Sequence, residues 1–313
     1  MADAAGTAAT GRRPAWVDDE LFPFESHFIA IDGHTVHYVD EGTGPTLLLL
    51  HGNPTWSFVY RDAIRALRRE FRCIALDLPG FGLSSARPDH RHLPKEQAEL
   101  VTAFIDAMAL SGITLVAQDW GGPIGLAAAE QRPAAFDGLV LANTWGWPIT
   151  GDPHLKAASR LLGGPLGRVL IRRFNVFVNV MIPLGHRLRK PAADELAHYR
   201  RALATPDRRD ASAVLPGRIT AGRAFLAEVE AGLPGLASLP ALLVWGDADF
   251  AFRAKERRRW ERTFPDHHTV VVEGAGHFVQ SDAPDRFVAA IREWRSALDL
   301  RYEPAPHAPD AAK

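Results

Sequence analysis

One cysteine, Cys73, is all this chain holds, which excludes an intrachain disulfide framework and fits a reducing cytoplasm. Set in an apolar run over 72–76 with no catalytic partner nearby, it reads as a core thiol. Neither sign of charge dominates: 36 Lys and Arg against 37 Asp and Glu leave a net charge of −1, which argues against nucleic acid as a partner. No apolar run is long enough to span a bilayer, and residues 1–14 are small and polar without the apolar stretch of a secretory signal. These absences predict a soluble cytoplasmic protein with neither nucleic acid nor membrane as partner. Tyrosine is also scarce, with four in 313 residues, and that scarcity returns below. What is present, 47% hydrophobic and 23% charged residues, suits a globule with a sizeable core.

Along the chain, strands and helices alternate. The runs 26–31 and 35–40 read as a hairpin turning at Asp32-Gly33. Apolar β-runs follow at 46–50, 72–76, 113–117, 138–142, 241–245 and 269–272. Helical patterns cover 94–110, 124–130 and 286–298. Continuous apolar strands between helices predict an α/β fold with a mostly parallel, eight-stranded sheet covered on both faces. Residues 148–220 break the rhythm with helical patterns, prolines and no convincing strand. They read as a helical cap inserted between two strands, lying over the strands' C-terminal edge, where such sheets bind ligands. The expected organisation is therefore a disordered or extended segment over 1–23, a core from 24–147 and 221–300, the cap at 148–220 and a disordered tail at 301–313. The cap is basic, with 13 Lys and Arg against 5 Asp and Glu. A solvated helix surface explains that excess, and so does a surface for an anionic partner or for self-association.

The run Gln118-Asp119-Trp120-Gly121-Gly122-Pro123 stands between an apolar strand and a small-residue helix. That is the setting of the nucleophile elbow of α/β-hydrolases, the sharp turn usually written G-x-S-x-G. Here an aspartate holds the serine position, Gly121 the second glycine position, and Ala117 replaces the first. A carboxylate at such a turn can displace a leaving group from an sp³ carbon and form an ester that water then cleaves. Equally, an aspartate before a helix can cap it. The rest of the chain separates the two readings. Trp245-Gly246-Asp247-Ala248-Asp249 and Gly274-Ala275-Gly276-His277-Phe278 each follow an apolar strand, so Asp119, Asp249 and His277 come in the order nucleophile, acid, base. Of the two neighbouring carboxylates, Asp249 is read as the acid and Asp247 as a turn residue capping local N–H groups.

The fourth strand-end motif is His51-Gly52-Asn53-Pro54-Thr55-Trp56. Its position lets the backbone N–H of Asn53 pair with that of Trp120 as an oxyanion hole. The Asn53 and Trp120 side chains are uncharged N–H donors, suited to a departing halide beside an aspartate nucleophile. The alternative is a turn former and a core tryptophan.

Together with Asp77-Leu78-Pro79-Gly80-Phe81-Gly82 and Gly276-His277-Phe278-Val279-Gln280, these motifs resemble those of haloalkane dehalogenases, over about 24–298. The resemblance implies the α/β-hydrolase fold, Asp119 as nucleophile, His277 as base and Trp120 as a halide donor, with Asn53 as the second donor. Family members carry the acid either as an Asp after the seventh strand or as a Glu after the sixth. The sixth strand here ends Asn143-Thr144-Trp145-Gly146-Trp147-Pro148 without a glutamate, which leaves Asp249 and places the chain in the branch pairing an Asn donor with an Asp acid. A small halogenated substrate and its halide product are the implied partners, with no metal or organic cofactor and no oligomeric state assigned. Rival readings share the scaffold. An epoxide hydrolase would use two cap tyrosines, and the cap holds only Tyr199. A coelenterazine-type luciferase or a non-catalytic ligand-binding member is the remaining alternative.

Overall fold

The computed structural model of the chain describes residues 7–8 and 11–302. Among these described residues, nine strands form one sheet in the order β1-β2-β3-β5-β4-β6-β7-β8-β9. At one edge β1 (Thr7–Ala8), β2 (His27–Ile31) and β3 (His34–Glu41) pair antiparallel, and β3 pairs antiparallel with β5 (Arg72–Leu76). The rest of the sheet is parallel: β4 (Thr46–Leu50), β5, β6 (Ile113–Asp119), β7 (Phe136–Thr144), β8 (Ala241–Gly246) and β9 (His267–Val272). Every residue of β4, β6 and β8 is buried. That is why these strands lack polar alternation: helices cover both of their faces. The β2–β3 hairpin turns at Asp32 (φ 48°) and Gly33 (φ 80°), two consecutive left-handed residues whose twist suits a tight hairpin.

All eight strands expected from the sequence are present, and the two-residue β1 adds a ninth at the edge. Part of the segment over 1–23, expected to be disordered or extended, is tied to the rest of the fold. Thr7 and Ala8 pair with Ala30 and Ile29, and Arg13 donates to the carbonyls of Phe22 and Phe24 at 2.8 and 2.9 Å. Val17, Phe22 and Phe24 are buried, Phe22 packing on Trp56 and Phe58 with ring centroids 5.2 and 5.8 Å apart. Large apolar side chains, rather than any regular pattern, hold this stretch down. Helix Pro284–Tyr302 carries the chain past residue 300, and the remainder of the expected tail lies outside the described residues. No helix among the described residues is long and apolar enough to cross a membrane.

Between β7 and β8 the chain forms helices Pro153–Gly163, Pro165–Phe174, Ile182–Gly185, Ala193–Ala202 and Asp210–Ala221, with a π-helical turn at Phe177–Met181. Asp152 caps the first, its carboxylate accepting from the N–H groups of His154 (2.8 Å) and Leu155 (3.1 Å). Helices Pro153–Gly163 and Asp210–Ala221 cross at Gly163 and Gly217, where a Cβ on Gly163 would land on the Gly217 backbone. Helix Asp210–Ala221 has a proline, Pro216, in its interior. Lacking an N–H, Pro216 leaves the carbonyl of Ser212, one turn back, without its helical donor.

Candidate active site

The site is built on the C-terminal ends of the parallel strands. β6 ends at Asp119, whose φ of 51° puts a non-glycine residue in the left-handed region. Such backbone is strained and persists only where its surroundings enforce it. The enforcement is visible: Thr144 Oγ donates to the Asp119 carbonyl at 2.6 Å, and helix Gly121–Gln131 starts at once. Gly121 and Gly122 let that helix begin against β4 and β7, since a Cβ on either would strike the Leu50 carbonyl or the Thr144 side chain. The turn lifts the Asp119 carboxylate clear of the sheet.

The turn after β4 reaches over it. His51 Nε2 accepts from Leu78 N (3.0 Å) and its Nδ1 lies 3.0 Å from the Gly52 carbonyl, so this buried ring fixes the loop rather than facing substrate. Asn53 N then donates to Asp119 Oδ1 at 2.8 Å, and the Trp120 backbone N–H also bonds the carboxylate. A Cβ on Gly52 would land on that carboxylate, so only glycine allows the approach.

His277, in the loop after β9, lies between two carboxylates. Its Nδ1 is 3.0 Å from Asp249 Oδ2 and its Nε2 is 3.6 Å from Asp119 Oδ2. Asp249 is itself held: Oδ1 accepts from Ala251 N (2.7 Å), and Oδ2 accepts from Asn143 Nδ2 (2.9 Å). A proton on Nδ1 facing Asp249 leaves Nε2 as the acceptor. Gln118 Nε2 sits 3.0 Å from that nitrogen and donates to the His277 carbonyl at 3.1 Å. Asp247 is exposed and accepts from Gly274 N across its turn at 2.7 Å. Asp119, Asp249 and His277 are thus together, each less than a tenth exposed.

Burial pushes the Asp119 carboxyl up from its ordinary value against the opposing pull of His277 and the two backbone donors. For His277 burial favours the neutral ring, but the charge and hydrogen bond of Asp249, with Asp119 behind, outweigh it and hold the imidazole above its ordinary value.

Asn53 and Trp120 line the same cavity, of about 200 Å³, with Leu155, Leu162, Phe177, Met181, Ile219, Phe250 and Phe252. Among the cap side chains, Phe177 lines it, Phe174 is exposed and Ile182 is packed in the core. The Trp120 ring is set by an edge contact with Trp145 (4.7 Å). Asn53 Nδ2 donates to Ser212 O at 3.2 Å, the carbonyl that Pro216 leaves free. A second amide hydrogen remains on Nδ2. No tyrosine lines the cavity among the described residues; Tyr199 is buried against Phe58 instead. Gln118, Asn143 and the Ser212–Pro216 pair escaped the sequence reading. Asn143 stands at the strand end searched for a glutamate, and its amide is the signal that could have revealed it.

Residues 45–284 match the alpha/beta hydrolase fold family. Haloalkane dehalogenase 2 of Mycobacterium tuberculosis is 45% identical over 278 residues, 88% of this chain and 96% of the relative. The cis-3-alkyl-4-alkyloxetan-2-one decarboxylase of Shewanella oneidensis is 29% identical over 320 residues, covering 94% and 99%. Among solved structures, haloalkane dehalogenase DbeA from Bradyrhizobium elkani superposes with a TM-score of 0.81 at 27% identity, covering 89% of this chain and 99% of that one. Sheet order, elbow and inserted helices define an α/β-hydrolase. Within that class, the chain belongs to the haloalkane dehalogenase family.

Proposed function

We propose that this enzyme hydrolyses the carbon–halogen bond of small haloalkanes through an ester on Asp119. One observation carries the reading: a carboxylate, not a hydroxyl, stands on the strained elbow with His277 and backbone donors around it, facing an apolar cavity. Asp119 Oδ2, the oxygen turned to His277, attacks the halogen-bearing carbon. A C–O bond forms, and the halide leaves with the C–X electron pair, stabilised by the N–H groups of Asn53 and Trp120. His277, oriented by Asp249, takes a proton from water, and the hydroxide adds to the ester carbonyl. The Asn53 and Trp120 backbone N–H groups hold the oxyanion until it collapses, releasing alcohol and restoring the carboxylate. The proton then leaves His277. No step calls for a metal or an organic cofactor.

The absence of a cavity tyrosine among the described residues supports dehalogenation over epoxide opening, because the pair of tyrosines expected to activate an epoxide oxygen is missing. The oxetanone decarboxylase relative gives a second substrate class, strained β-lactones, on the same scaffold. Halide release over a panel of chloro-, bromo- and iodoalkanes, run beside a cis-3,4-dialkyl oxetan-2-one, tests both. Halide is expected with little consumption of the lactone; the reverse pattern overturns the assignment. The ester is tested separately by His277→Phe, which should retain one alkyl group on Asp119 in intact-protein and peptide mass spectra. Full turnover, or an adduct elsewhere, refutes the two-step route.

A further inference from the structure

The outer face of the cap is both apolar and basic. Of the ten large apolar side chains exposed among the described residues, eight lie between residues 161 and 188. Helix Pro165–Phe174 shows the pattern best. Only Gly167 and Ile171 are buried, while Leu166, Val169, Leu170 and Phe174 stand outward at spacings of three and four, with Leu166 65% and Phe174 60% exposed. At 100° per residue these four form one stripe, and Arg173 falls inside it. A helix of a soluble domain turns such a stripe toward its core. This one turns it toward solvent.

Charge narrows what covers it. Residues 153–190 hold eight Lys and Arg and no Asp or Glu. Four of them, Arg160, Arg168, Arg173 and Arg187, are exposed and have no acidic partner among the described residues. A second copy meeting this face through a two-fold axis would set arginine against arginine. A surface that is apolar within and anionic outside matches both features, and apolar side chains interleaved with Arg are the pattern of helices lying at a lipid interface. Against the sequence-based expectation of no membrane partner, we propose that the cap's outer face docks peripherally on anionic phospholipid membranes. The same elements wall the catalytic cavity from within, where Leu162 and Met181 line it beside the outward Leu161 and Val180. Docking would therefore hold the cavity next to the phase where apolar substrates concentrate. The docking stands apart from the reaction proposed above, and neither falls with the other.

Co-sedimentation with vesicles tests it. The protein should pellet with equimolar phosphatidylcholine–phosphatidylglycerol vesicles at low salt, stay in solution with pure phosphatidylcholine, and be released at high salt. Arg168→Gln with Arg173→Gln should weaken partitioning about thirtyfold, given the attraction of each cation to an anionic surface. Leu166→Gln with Phe174→Gln should weaken it comparably. Halide release from a dissolved bromoalkane should be unchanged in both variants, which shows that they fold. The proposal is overturned by equal binding to the two lipids, by variants that bind as the parent does, or by sedimentation velocity showing a dimer that the same substitutions dissociate without any vesicle binding.

Discussion

The floor of the cavity and the cap above it are held by different forces. On the floor, Asp249 has three polar partners in Ala251, Asn143 and His277, His277 is flanked by Asp249 and Gln118, and Asp119 receives backbone N–H groups at a strained turn. Over the cavity, the cap contributes mostly apolar side chains, its helices crossing where two glycines meet. A charge that moves during reaction needs donors fixed in advance, and the strand ends supply that rigidity. Apolar packing sets shape without fixing charge. On this comparison the proposed chemistry rests on the floor, and the shape offered to a substrate rests on the cap. At the nucleophile the two meet through the hydrogen bond from Asn53 to Ser212.

The comparison breaks most visibly at Asp249. Asp249→Ala leaves His277 without its orienting partner and should lower turnover on the order of 10⁴-fold, while Asp247→Ala, altering one turn contact, should change it only a few-fold. Steady-state halide release ranks the pair, and the opposite ranking would place the acid on the wrong carboxylate. Next come the proposed halide donors. Trp120→Phe and Asn53→Ala each remove one side-chain donor and should slow displacement on the order of a hundredfold, about 3 kcal/mol. Bromide quenching of tryptophan fluorescence should weaken in both. Trp120 is itself a fluorophore, so parent-like quenching in Asn53→Ala is the result that would move the halide site elsewhere.

Legibility in the sequence follows the same division. The floor could be read because the candidate residues follow apolar strands: β4, β6 and β8 are buried throughout and read as continuous hydrophobic runs, and β9 keeps an apolar end at Val270–Val272 although much of it is exposed. Asp119, Asp249 and His277 were each found at such an end, and Asn53 beside a fourth. Gln118 and Asn143 were not singled out, because a buried amide within a strand looks the same in sequence whether it bonds a backbone or a catalytic ring. The stretch around Val17 and Phe22 was expected to be disordered or extended because it is held by contacts distant in sequence, such as Phe22 on Trp56 and Phe58. In the cap, helical periodicity was legible but facing was not. Phe174 and Phe177 are three residues apart, yet one is exposed and the other lines the cavity.

A pH profile sharpens the account of the floor. In the proposed reaction the base works as neutral imidazole, so ester hydrolysis should fall about tenfold per unit once pH drops below the His277 value. Asp249 and Asp119 hold that value above the ordinary histidine range in the free enzyme, against burial. In the proposed alkyl-enzyme Asp119 would be an uncharged ester without its upward pull, so the acid limb of ester hydrolysis should lie below the value titrated in the free protein. Proton NMR of the His277 ring and single-turnover rates give the two numbers. Coincident values would mean that Asp119 does not act on the ring.

The smallest expected effect lies where cap and floor touch. Pro216 has no N–H to bond Ser212 O, and Asn53 Nδ2 occupies that carbonyl instead. Pro216→Ala supplies the missing helical donor, which would compete for Ser212 O and loosen the Asn53 amide. One hydrogen bond of about 1 kcal/mol corresponds to about a fivefold loss of bromide affinity and displacement rate. The helix itself should gain, since proline in a helix interior is unfavourable relative to alanine by as much as about 3 kcal/mol, so the melting temperature should rise as activity falls. Because Pro216 also lines the cavity, the loss of its ring must be separated from the release of Asn53. Repeating the substitution in an Asn53→Ala background does so: with no amide left to release, Pro216→Ala should have no further effect on bromide binding. An equal loss in both backgrounds would show that the proline acts through cavity shape alone, and that the cap does not reach the halide site through Ser212.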